Sequence, residues 1–131
     1  MTKKEDKKTL TVEDILKRKD FFKEKRTEKK TLYISSIDSN IVIQKPSRDL
    51  LFDVSDMDDE SEADAYLVYE SIVEPDLHSK EIQELYKEDI TQPFDVLYEI
   101  FDSMEVTQIA QKIVAFGGLN GVSEVTEDLK K

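Results

Sequence analysis

No cysteine occurs among the 131 residues. Its absence excludes disulfides and thiolate metal sites and leaves the redox compartment unread. Histidine occurs once, at His78, so a two-histidine zinc site is excluded as well. His78 lies in the polar turn PDLHSK and reads as a solvated loop residue. Ser79 beside it reads as a helix N-cap rather than a nucleophile, and no third group completes a triad. The three glycines fall at 117, 118 and 121. GGLNG lacks the GxxxxGK[ST] spacing and follows a helix rather than a strand, so it marks a helix end, not a phosphate loop. No stretch approaches the ~20 apolar residues of a membrane span, and the opening MTKKEDKK lacks the apolar region of a secretory signal. A cytoplasmic, non-enzymatic protein is expected, with no catalytic site, cofactor or metal.

Charge, by contrast, is abundant and uneven. The net charge is −11. Residues 1–30 hold twelve basic against seven acidic side chains, a balance of +5, and the remainder carries −16. The acidic bulk repels nucleic acid, whereas the basic front can attract either nucleic acid or the acidic body of another copy. The plainer reading of the front is a solvated helix face of mixed charge. Six acids crowd between Asp56 and Asp64 in DMDDESEAD. Set against an EF-hand loop starting at Asp56, the sixth position is Ser61 instead of Gly and the twelfth is Leu67 instead of Glu, so the turn and the bidentate ligand are both missing. A linker running into a helix N-terminus accounts for the same residues.

The length suits one domain with a modest core. Residues 1–10 read as a disordered tail, residues 11–118 as one mostly helical domain, and residues 119–131 as a mobile tail. Thr11 and Asp14 form a capping box that opens a basic helix over about 12–28, with Val12, Ile15, Leu16 and Phe22 as its apolar stripe. TLYISS and NIVIQK alternate and are β-branched, which predicts one β-hairpin at about 31–45, turning through Asp38, Ser39 and Asn40 and packed on helices. Helices are then expected between about 47 and 116. Ser47, Ser61, Ser79 and Ser103 are the expected N-caps, and Pro93 is the first residue of another helix. Ile72 and Val73 are assigned to the apolar face of the helix that Pro75 ends. Tyr66, Tyr69, Tyr86 and Tyr98 read as core or interface rather than as base-stacking platforms. The expected fold class is therefore mainly α, with one short N-terminal hairpin.

The order of the pieces adds a resemblance. LTVEDILKRK, IVIQKPSRDLL, MDDESEADAYLVYESIVEPDLHSKEIQELY, PFDVLYEIF and MEVTQIAQKIVAFGGL follow one another in a chain that resembles the tail assembly chaperones of contractile-tailed phages and of phage-like prophage elements of Gram-positive bacteria. The resemblance spans about residues 9–129, and KPSRDLL, the DxxxADAYLVYESIVEPDL block and the closing helix with its glycines are its most characteristic parts. It implies a helical, non-enzymatic protein that binds the tape-measure protein, keeps it soluble, helps the tail-tube protein polymerise around it, and is absent from the mature particle. It also implies that a longer, frameshifted form can exist. Leu16, Phe21, Phe22, Tyr66 and Tyr69 are the candidate self-association or partner surface. The competing expectations are a regulatory nucleic-acid-binding protein that uses the basic helix and a structural tail component.

Overall fold

The computed structural model describes residues 8–117. The expected tails, apart from residues 8–10, lie outside the described residues, as do Gly118 and Gly121. Residues 8–10 are exposed and carry no regular structure.

Seven α-helices and a three-stranded antiparallel sheet make up the described residues. The chain opens with α1 (Val12–Lys17) and α2 (Lys19–Glu24), followed by a 3-10 turn, Lys25–Thr27. The capping box forms as expected: the Asp14 N–H donates to Thr11 Oγ1 and the Thr11 N–H to Asp14 Oδ2, each at 3.1 Å. The single helix expected over 12–28 is instead broken at Arg18, whose backbone leaves helical geometry (φ −117°, ψ 30°). Neither helix buries a residue, so no packing face holds the two halves in line, and helices this short gain little from propensity alone. At the break the Arg18 guanidinium lies 4.2 Å from the centre of the Phe21 ring and 5.5 Å from that of Phe22.

β1 (Lys29–Ile34) and β2 (Ser39–Gln44) pair antiparallel, with Leu32 opposite Ile41 and Ile34 opposite Ser39. The turn lies earlier than the sequence suggests. A 3-10 turn at Ser35–Ile37 leads to Asp38 in the left-handed region (φ 46°), and Ser39 and Asn40 already belong to β2. Aspartate tolerates that conformation better than most residues, and Asp38 Oδ1 accepts the Tyr33 hydroxyl at 2.6 Å.

The expectation of a lone hairpin is wrong. Ile72–Glu74 forms β3, which pairs antiparallel with β2, so the sheet has the order β1-β2-β3. Ile72 and Val73, assigned to a helix, become extended with Glu74 for two local reasons. Pro75 disfavours helical backbone in the residue before it, and the β-branched Ile72 and Val73 are stiff and fit a pleated surface. Val42 faces Glu74 and Ile43 faces Ile72, leaving Val73 as the extra residue of a bulge. β2 becomes the central strand, and its inward Ile41 and Ile43 are buried. β1 is an edge strand that begins with Lys29 and Lys30, charges of the sort that discourage edge-to-edge pairing.

α3 (Arg48–Ser55) is capped by Ser47, whose Oγ accepts the Leu50 N–H. α4 (Glu60–Ser71) is the central helix: it packs on α3, on α7 and on the short helical turns between residues 93 and 100. Ala63, Ala65, Leu67, Val68, Tyr69 and Ser71 are all buried along it. Its N-cap is Asp59, not Ser61. Asp59 Oδ1 accepts the N–H groups of Ser61 (2.8 Å) and Glu62 (3.1 Å). A carboxylate satisfies two orphan donors at the positive end of the helix dipole, which a hydroxyl at the second helical residue cannot do. Asp59→Ala is therefore expected to lower the unfolding free energy by about 0.5–2 kcal/mol, with Ser61→Ala close to neutral, both read from urea denaturation midpoints.

α5 (Lys80–Leu85) is capped by Ser79. The segment opened by Pro93 divides into a 3-10 turn, Pro93–Val96, and a single turn of α6, Leu97–Ile100. Asp95 Oδ2 holds the entry by accepting the Thr91 and Gln92 N–H groups. α7 (Ser103–Phe116) starts one residue earlier than expected, with Asp102 as N-cap in place of Ser103, and its Glu105 Oε1 accepts the Asp102 N–H at 2.8 Å. Beyond its end, Gly117 keeps right-handed backbone. A Cβ there would stand 3.1 Å from Pro46 Cγ, so glycine serves the close approach of α7 to the start of α3 rather than a left-handed cap. The core joins the inner sheet face (Ile34, Ile41, Ile43) to α4, to Val96, Leu97 and Phe101, and to Val106, Ile109 and Ile113 of α7.

Candidate binding surfaces

Two features stand apart from this core. The first is the N-terminal arm, residues 8–27. Its main contacts are internal, α1 with α2 and α2 with the 3-10 turn that follows. Leu16 is 75% exposed and Val12 74%; Leu10, Ile15 and Phe21 are also exposed. Val12, Ile15 and Leu16 sit at i, i+3 and i+4, one face of a helix. Phe22 is half-buried and meets Phe21 edge-on at 5.5 Å between ring centres. Behind this apolar tip, residues 17–30 carry eight basic and three acidic side chains. An exposed apolar cluster rimmed by charge is the usual mark of an interaction surface.

The second feature is a groove of about 360 Å³ where α3, α4 and α7 meet, lined by Val54, Asp64, Leu67, Ala110, Val114 and Ala115. A cavity of about 150 Å³ accommodates benzene, so the groove has room for roughly two aliphatic side chains. Its one carboxylate, Asp64, accepts the Thr107 hydroxyl at 3.2 Å. Partial burial pushes the Asp64 carboxyl above its usual range, the Thr107 hydrogen bond opposes that shift, and the negative charge of Glu60 adds to it. The segment from Arg48 to Asp64, which supplies Val54 and Asp64 to the lining, holds eight acids and one arginine. The acidic run thus supplies a helix cap, through Asp59, and one groove residue, Asp64. Among the described residues no group of three or more acidic or histidine side chains is arranged to hold a metal ion.

The candidate residues divide between the arm and the body. Leu16, Phe21 and Phe22 belong to the arm. Tyr69 is only 7% exposed and is a core residue; its ring stacks on His78 with centres 4.0 Å apart. Tyr66 is half-buried and meets Phe94 edge-on at 5.8 Å. Burial raises both phenols above their ordinary values, with the charge of Glu70 adding to each. His78 is less idle than its polar turn suggests: besides the stacking, its Nε2 lies 3.3 Å from the Tyr69 carbonyl oxygen and 3.6 Å from Glu70 Oε2. The groove itself goes unseen in sequence reasoning, because its lining comes from three helices whose apolar residues all look like core.

Two further surfaces are present. Lys25, Arg26, Lys45 and Arg48 gather round Pro46 and Ser47 at the start of α3. A shallow groove also runs between β1 and α7, where the Ser36 hydroxyl donates to Glu105 Oε2. That bond, together with the Asp102 N–H, holds the Glu105 carboxyl below its usual range. No helix among the described residues is long and apolar enough to cross a membrane. Comparison with protein-family models, with curated proteins and with solved structures returns no match to this chain.

Proposed function

We propose that the protein is a non-enzymatic chaperone of phage or prophage tail assembly, acting in the cytoplasm of the bacterial host. In this reading it binds apolar helical stretches of the tape-measure protein before the tail-tube protein encloses them. The observation that carries the reading is the open apolar groove between α3, α4 and α7, which suits helix-in-groove recognition. A tape-measure helix exposing an apolar stripe needs such a partner until the tube covers it, and a net charge of −11 keeps a loaded complex soluble. The resemblance of the chain's ordered segments to tail assembly chaperones supplies the identity of the client.

The test is a pull-down with tagged full-length protein from cells making tails, alongside purified particles, both read by mass spectrometry. Expected are recovery of the tape-measure protein, its loss with the groove variant Ala115→Arg, and absence of this chain from finished particles. Retention in particles would instead make it a structural component. The basic cluster around Pro46 favours the second reading, nucleic-acid binding. Salt-sensitive DNA binding without tape-measure recovery would establish that reading in place of the chaperone.

A further inference from the structure

A cleft of about 380 Å³ lies where the 3-10 turn at Lys25–Thr27 meets the end of β2, the start of α3 and the end of α4. That volume falls within the roughly 300–1,000 Å³ of small-molecule sites. Seven of its nine lining residues are polar or charged, which suits a charged ligand rather than an apolar one. Arg26 and Lys45 both line it. The Lys45 N–H donates to the Glu28 carbonyl at 2.8 Å, a bond that ties the end of β2 to the chain just after Arg26. Lys25 and Arg48 adjoin them, so four cations gather by one carboxylate, Glu70. The start of α3 adds to the positive side, because the first N–H groups of a helix have no intrahelical partner. Ser71, the last residue of α4, lines the same cleft. It is 2% exposed, and its Oγ meets no hydrogen-bond partner among the described residues. Buried hydroxyls are nearly always paired, and an orphan costs free energy until a partner reaches it.

We propose that this cleft binds a small phosphomonoester by its phosphate group. The Arg26 guanidinium pairs with two phosphate oxygens through its planar fork, and Lys45 supplies a second charge. The Ser71 hydroxyl donates to a phosphate oxygen and is no longer an orphan. Glu70 repels a bare phosphate but accepts a hydroxyl of the organic part. The site therefore prefers an ester that carries a free hydroxyl near its phosphate over inorganic phosphate. A nucleic acid fits less well: a duplex needs a broad positive face, and residues 31–131 carry a net charge of −16. The proposal uses neither the α3–α4–α7 groove nor a helical client, so it stands apart from the chaperone reading.

The experiment is isothermal titration calorimetry of the full chain at low salt, with glycerol 3-phosphate, inorganic phosphate and a short DNA duplex as probes. Glycerol 3-phosphate should fill one saturable site per chain, inorganic phosphate should bind the same site more weakly, and the duplex should not saturate. Arg26 is exposed, so Arg26→Ala should fold like the wild type and weaken glycerol 3-phosphate by about tenfold or more. Ser71→Ala should weaken it several-fold while the thermal midpoint holds or rises, since a buried orphan is removed; a serine that serves only packing would leave binding unchanged. Glu70→Gln should narrow the gap between the ester and inorganic phosphate. The proposal is overturned by a lack of binding of glycerol 3-phosphate, by affinity that Arg26→Ala or Ser71→Ala leaves unchanged, or by a gap that Glu70→Gln leaves intact. Phosphate binding that never saturates would also overturn it, as an adventitious ion only. Saturable duplex binding that is lost in Arg26→Ala would overturn it in favour of a nucleic-acid surface.

Discussion

Ile43→Ala is expected to lower the unfolding free energy by about 2–5 kcal/mol, the range for truncating a well-packed isoleucine. Ile43 has no exposed surface. It sits on the central strand, opposite Lys30 of β1 on one side and Ile72 of β3 on the other, beside the bulge. Removing its side chain opens a cavity where the sheet meets the helices, and the surrounding strands cannot close it without losing register. A domain of this size has only about 5–15 kcal/mol of stability, so the variant should unfold at a much lower urea concentration with little change in slope. Leu16→Ala serves as the contrast, since that leucine is 75% exposed and its truncation should leave the midpoint within about 0.5 kcal/mol of the wild type. An unchanged midpoint for Ile43→Ala would mean that the sheet does not share the helical core.

Leu77→Ala should cost a similar amount, about 2–5 kcal/mol, although Leu77 belongs to the loop between β3 and α5. It too has no exposed surface and joins the main core. The loop is held around it: the Asp76 carboxylate accepts the His78 N–H at 3.0 Å, and the Gln83 side-chain amide donates to the Leu77 carbonyl at 3.0 Å and to the Pro93 carbonyl at 3.2 Å. Loss of the leucine side chain leaves a polar loop over a void, with only hydrogen bonds of about 1 kcal/mol each to hold it. Thermal denaturation followed by circular dichroism reads the effect, and His78→Ala gives the comparison. His78 is exposed, and its loss removes a stacking contact worth about 0.5–1.5 kcal/mol, so it should shift the midpoint less than Leu77→Ala. Equal shifts would assign the loop's stability to the stack rather than to the buried leucine.

These two residues also mark how far the sequence could be read. Helical period and capping chemistry revealed most of the helices, because Ser47, Ser79 and the Thr11–Asp14 box carry their signals within four residues. The hairpin was legible from the alternation of Leu32, Ile34, Ile41 and Ile43. The third strand was not: Ile72 and Val73 continue the apolar spacing of α4, and β-branching and Pro75 weaken the helix there without announcing a strand, which takes shape only by pairing with β2, some thirty residues earlier. Leu77 was hidden for the same reason, a polar neighbourhood in sequence and an apolar one in space. Caps failed where two candidates stood close together, as Asp59 and Ser61 do, or Asp102 and Ser103. The arm's exposed face was visible as a stripe of apolar residues, but periodicity cannot tell a stripe that packs from one that waits. The groove has no linear signature, since Val54, Leu67 and Val114 come together only when three helices do.

The separation of arm from core has a consequence for how this protein can change. Substitutions at Ile43 or Leu77 alter stability and therefore the amount of folded protein, whatever they do to binding. Substitutions at Val12 or Leu16 touch neither the sheet nor α4. The arm's surface can therefore change in single steps while the fold stays where it is. The trade-off between activity and stability that limits many binding sites does not constrain this segment.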